Sequence, residues 1–173
     1  MRAMIPNLLV RLREEREMRL KGGMYHLTQI KLCYNSNRIE GSRLSEEQTR
    51  YLFETNTISV ASGETANVDD IIETANHFAC FDYMLSSADA VLSEEIIKEF
   101  HRIVKSSTSD SKKDWFKVGD YKARQNMVGD TETTPPSLVR SAVREALAEY
   151  TEKEAASFED IVAFHHRFEK IHP

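Results

Sequence analysis

Apolar residues recur at helical spacing along most of this chain. Val68, Ile71, Ile72, Ala75, Phe78 and Ala79 fall three or four residues apart. That spacing stacks side chains on one face of an α-helix, so it predicts a helix from Val68 to about Leu85. Ile96, Ile97, Phe100 and Val104 predict another, opened by Ser93 as cap with Glu94 and Glu95 in its first turn. Val139, Val143, Ala146, Leu147 and Tyr150 mark a third, started by Pro135-Pro136, and Ser157-x-x-Asp160 is a capping box for a last helix running to the end. Nearer the N-terminus, Leu27, Ile30 and Tyr34 give a stripe over 24–40 that stops at Gly41. Ser45-x-x-Gln48 is a second capping box, opening a helix to about Glu54. The mixed-charge stretch 7–21 reads as a solvated, exposed helix broken by Gly22-Gly23.

Two segments leave this rhythm. Residues 106–114 are a polar loop. Residues 115–136 have no helical period and carry two Gly-Asp turns, and Val128-Gly129-Asp130 has the chemistry of a hairpin tip. The expected fold class is all-α, mainly helical, with one short β-hairpin. No internal repeat or domain-scale linker interrupts the pattern.

The bulk numbers narrow the function. The 173 residues suit one compact domain with a real core. With 23 Lys and Arg against 28 Asp and Glu, the net charge is −5, and a mildly acidic chain is poorly suited to nucleic acid. No run approaches the ~18 apolar residues of a membrane span, and the first 15 residues do not read as a signal peptide. The expectation is a cytoplasmic protein with no nucleic-acid or membrane partner. Its two cysteines, Cys33 and Cys80, lie in apolar segments and form no CxxC pair, so buried free thiols are expected rather than a thiolate zinc site.

Three stretches carry candidate chemistry. In the last helix, Ile161, His165, Phe168 and His172 share a face, with Glu169 close by. A metal site is one reading, but His165 and His172 are two turns apart, ~10 Å of rise, which is too far for one ion. A buried, hydrogen-bonded His165 is the plainer reading. His172 stands apart because Pro173 pushes it out of helical geometry at a helix edge. In "SNRIEG", 36–41, Ser36 and Glu40 stack on one face and Gly41 suits a left-handed helix end. Glu40 there faces the negative end of the helix dipole, so it either seeks a cation from elsewhere in the fold or is plainly exposed. The 115–136 segment is either an ordinary surface hairpin or an edge that accepts an extended peptide.

Taken together these stretches resemble the Fic (Fido) domain proteins. His165, Phe168, Ile171, His172 and Pro173 match the lead-in to the family's His-Pro-Phe motif. Ser36, Glu40 and Gly41 match its inhibitory motif, placed as in the class whose inhibitory helix precedes the core. Asn76-His77 resembles an early core helix, and Gly119-Asp120-Tyr121-Lys122 resembles the Gly-x-Tyr-Arg element with Lys for Arg. Asn126 to Pro136 resembles the flap beside the nucleotide. The likeness covers about 24–173, and it divides the chain into N-terminal helices, 1–55, and a Fic core, 56–173.

The resemblance implies a protein adenylyltransferase that moves AMP from ATP to a Ser, Thr or Tyr hydroxyl, with Mg²⁺ and release of pyrophosphate. It implies that His172 is the general base, since a neutral imidazole suits that task. It implies that Glu40, in the inhibitory motif with Gly41 and on a helix that Ser36 helps seat, is the brake, pairing with the motif's last Arg. Met127, Val128, Gly129, Asp130 and Thr131 would hold the target or the nucleotide. The partners implied are ATP and a protein substrate, including the protein itself, and the exposed helices at 7–21 and 45–54 offer surfaces for a homo-oligomer. The family's acidic Mg²⁺ ligand, Gly-Asn-Gly phosphate loop and final Arg residues follow the His-Pro and are not among these 173 residues. The expectation is therefore a core incomplete at its C-terminal end, no metal ligand in this chain, no tight cofactor binding and no AMP transfer by these residues alone. The alternative is an inert helical module that grips a peptide through the 115–136 flap.

Overall fold

The computed structural model describes residues 4–173. Its contacts divide into two compact units. One runs to Ala88 and takes in Ser106–Thr108, and the other comprises Asp89–Lys105 and Ser109–Pro173.

The first unit holds α1 (Met4–Glu17), α2 (Met24–Ile39), α3 (Glu46–Thr55) and α4 (Val68–Ser87). The capping box at Ser45 forms in both directions, and Asn67 caps α4 through the Asp69 amide. The packed faces differ from the expected stripes. On α2 the buried set includes Tyr25, Gln29, Ile30, Cys33 and Asn37, while Leu27 is 46% exposed. On α4 it is Thr74, Phe81 and Leu85, while Val68, Ala75 and Ala79 face outward. The reason is hydrogen bonding between the two helices. Gln29 Nε2 donates to the Phe78 carbonyl at 3.2 Å, Tyr25 OH to Asp82 Oδ1 at 2.7 Å, and Asn37 Nδ2 to Thr74 Oγ1 at 2.9 Å. A buried amide with partners costs little, so these polar residues take core positions that hydropathy alone denies them.

Nor is α1 merely a solvated face. Arg13 donates twice to the Leu85 carbonyl, one of the last four that α4 leaves open, and Arg16 donates at 3.1 Å to the Asp82 carbonyl one turn further in. Glu15 is buried and accepts from the Tyr25 amide at 2.8 Å, placing an anion at the start of α2. The Arg11 side chain and the Tyr25 amide hold its carboxyl below the usual range. Gly23 makes this approach feasible, because a Cβ there would lie 2.5 Å from Glu15 Oε2.

The second unit holds α5 (Glu94–Lys105), a 3-10 turn at Asp110–Lys112, the hairpin β1 (Met127–Val128) and β2 (Thr131–Glu132), α6 (Pro136–Thr151) and α7 (Phe158–Ile171). Seven helices and one small antiparallel sheet make the described chain mainly helical, as expected. Val139, Val143, Ala146 and Leu147 on α6 meet Ile171 on α7, with Phe164, Phe168 and Ile97 packed around them. The α6 stripe is the one read from the sequence. The Ser157–Asp160 capping box starts α7. Met127 pairs with Glu132 and Val128 with Thr131, and the turn reverses at Gly129 with φ +58°.

Candidate functional site

The end of α7 is the focus. Phe168 and Ile171 anchor the last turn in the core, and Pro173 excludes the helical region for the residue before it. His172 leaves the right-handed helix for a left-handed C-cap, φ +47°, ψ +66°, rather than for the extended region that proline favours, and its amide still donates to the Phe168 carbonyl at 2.9 Å. This leaves the imidazole exposed just beyond the helix, with Nδ1 2.7 Å from Asn126 Nδ2.

The base of the hairpin is fastened to this helix end. Lys122 Nζ donates to Asn126 Oδ1 at 2.8 Å, Thr133 Oγ1 at 2.6 Å and the Ile171 carbonyl at 3.1 Å. The carbonyl is one of those a helix leaves unsatisfied at its C-terminus, where a cation is favoured. All three partners are neutral, and burial lowers the Lys122 pKa. Gln125 Nε2 donates to the Thr133 carbonyl at 2.7 Å, and the Thr134 amide reaches the Lys170 carbonyl at 3.4 Å.

The residues ahead of Lys122 have separate tasks. Gly119 sits at φ +77°, and a Cβ there would meet Arg102 Cβ at 3.0 Å. Its amide donates to His101 Nδ1 at 3.2 Å, and burial pushes the His101 imidazole below its ordinary pKa. Asp120 binds Lys98 at 2.9 Å, which depresses the carboxyl. The Lys98 ammonium lies 4.3 Å from the centre of the Tyr121 ring. Burial pushes the Tyr121 phenol up to about 12. A cleft of about 410 Å³ opens here, lined by His101, Trp115, Lys122, Arg124, Asn126 and His172 among others.

The flap residues Met127, Val128, Gly129, Asp130 and Thr131 are all exposed, with Met127 and Val128 more than half so. Ser36, Glu40 and Gly41 belong to the first unit. Gly41, at φ +93°, ends α2 by donating to the Arg38 carbonyl at 3.1 Å, and the next amide, Ser42, donates to the Asn37 carbonyl at 2.9 Å. Glu40 is exposed and has no ion-pair partner among the described residues, while Arg38 turns away to Tyr34 OH at 2.7 Å. Asn76 donates to the Ser106 carbonyl at 2.7 Å within the same unit.

His165 corrects an expectation. It is not buried. Its side chain is 71% exposed and pairs with Glu169 at 3.1 Å along the outer face of α7. Ile161 is exposed too, so the inner face is Phe164, Phe168 and Ile171. His165 and His172 are not brought together, and among the described residues no three His, Cys, Asp or Glu side chains gather as a metal site.

Residues 91–173 match the model of the Fic/DOC family. That stretch is similar to a Fic domain. The fold agrees with two solved structures. One is a Fic domain containing signaling protein from Bacteroides thetaiotaomicron, 21% identical, TM-score 0.72, matched over 95% of this chain and 65% of that one. The other is a Fic family protein from Desulfovibrio desulfuricans, 20% identical, TM-score 0.72, matched over 99% and 52%. The chain thus spans about half to two thirds of the length of either. No curated protein is a significant sequence match. Within the matched stretch, the bond from Asn126 to His172 and the triple contact of Lys122 were not read from the sequence. Their one signal there is the Gly-x-Tyr-Lys element followed four residues later by Asn.

Proposed function

We propose that this chain is a Fic domain serving a protein adenylyltransferase. The observation that carries the reading is His172, held exposed in left-handed conformation at the end of α7, between a buried Ile171 and Pro173. In the proposed step a Ser, Thr or Tyr oxygen of a protein substrate attacks the α-phosphorus of ATP. His172 takes the hydroxyl proton, the new O–P bond replaces the bond to the leaving oxygen, and pyrophosphate departs. An imidazole offers a lone pair near neutral pH and suits general-base work. The exposed hairpin from Met127 to Thr131 supports a docking role, in which an extended target segment adds to its open edge. Among the described residues no three His, Cys, Asp or Glu side chains gather as a metal site, and the step assigned to this chain is proton uptake by His172.

The test is adduct formation with Mg·ATP, read by intact mass, in a polypeptide that continues past Pro173 through the family's Gly-Asn-Gly-Arg loop. An AMP adduct that disappears in His172→Ala supports the reading, and an adduct retained in that variant removes His172 from the chemistry. We also propose that Glu40 restrains the reaction. Glu40→Gly then raises adduct yield several-fold, and an unchanged yield rules the brake out. A second reading follows from the exposed Met127 and Val128, namely a module that grips a peptide without chemistry. Peptide capture that is indifferent to nucleotide, with no adduct, would favour it.

A further inference from the structure

Asn126 and His172 meet in a way that constrains the imidazole itself. Lys122 Nζ can only donate, and it lies 2.8 Å from the Asn126 side-chain atom assigned as Oδ1. Thr133 Oγ1 bonds to the same atom. That atom must therefore be the oxygen, which leaves the amide nitrogen facing His172 Nδ1 at 2.7 Å. An amide NH₂ has no lone pair to offer a ring N–H, so His172 Nδ1 must be the acceptor. In a neutral imidazole the proton then resides on Nε2.

We infer that Asn126 is a positioning residue that locks His172 in the Nε2–H tautomer. Resting on the adenylyltransferase reading, this deepens it. The lone pair available to a substrate hydroxyl is on Nδ1, and Asn126 occupies it. Proton uptake therefore requires the Asn126 amide to release Nδ1, so the hairpin base that carries Asn126 gates the base. The lock is over-determined, because Lys122 and Thr133 both fix the amide's orientation and Lys122 is itself fastened to the Ile171 carbonyl beside His172.

The experiment is long-range ¹H–¹⁵N correlation on ¹⁵N-histidine-labelled protein, at a pH where imidazole is neutral and without nucleotide. The exposed His166 serves as the internal reference. In the unsubstituted protein His172 should show an N–H-type Nε2 and a lone-pair-type Nδ1, with less tautomer mixing than His166. Asn126→Ala should return it to the His166 ratio. Asn126→Asp keeps an oxygen for Lys122 but presents a carboxylate to Nδ1, and it should reverse the pattern to Nδ1–H. A His172 already in the Nδ1–H form, or one whose ratio is the same in all three proteins, overturns the inference. The His101 resonances report whether each variant keeps its fold, and Asn126→Asp carries the test if Asn126→Ala does not. Because no nucleotide is present, the tautomer result stands or falls separately from AMP transfer.

Discussion

Lys122 carries an unusual combination for a lysine. Its ammonium is half-buried, faces three neutral acceptors and closes the gap between the hairpin base and the last turn of α7. Hydrogen bonds to a charged group each contribute ~1.5–3 kcal/mol, part of which is offset by desolvation. Lys122→Met should therefore lower unfolding stability by ~2 kcal/mol in urea titrations. Lys122→Arg, which keeps a cation with several donors, should lose much less. Equal losses in the two variants would show that the stem, not the charge, matters. The cysteines are the inert contrast at this scale. Burial raises Cys33 to about 12 and Cys80 to about 11, so neither is a nucleophile near neutral pH.

Helix ends decide much at the scale of elements. Both capping boxes, at Ser45 and Ser157, close in both directions, and Gly41 reverses the chain after α2 as its position suggested. The α7 box also has a pH signature. Hydrogen bonds from Lys153 and from the Ser157 amide and hydroxyl hold the Asp160 carboxyl down to about 2, against an ordinary 3.8. A carboxyl depressed in the folded state stabilises it above its unfolded pKa and loses that contribution as pH falls through the folded value. The contribution is thus present above about pH 4 and fades toward pH 2. Asp160→Asn should flatten the loss of stability across that window, as measured by denaturant midpoints at stepped pH. An unchanged slope would mean the cap is silent in solution. Mid-helix faces were less legible than helix ends, because Gln29 and Asn37 look like surface residues until their partners on α4 are known.

The whole molecule comprises two units with different interiors. The first is threaded by polar contacts between α2 and α4, whereas the α6–α7 centre of the second is almost wholly aliphatic and aromatic. Val143 has no exposed surface. Val143→Ala deletes two buried methyl equivalents and leaves a cavity, so it should cost ~2 kcal/mol by chemical denaturation. A cost below ~0.5 kcal/mol would mean that the core collapses around the gap. No helix among the described residues is long and apolar enough to cross a membrane.

The sequence by itself determined the helix starts at Ser45 and Ser157, the α6 stripe, the hairpin turn at Gly129 and the exit of His172 from helical geometry. Each depends on residues within a few positions of one another, where capping, periodicity and the constraint before proline act. Tertiary structure alone decided which face of α2 and α4 is buried, that His165 points to solvent, and that Asn126 meets His172 across 46 positions of chain. Those outcomes rest on hydrogen-bond partners supplied from distant segments. A donor or acceptor has no side of a helix to prefer until the group that satisfies it is in place.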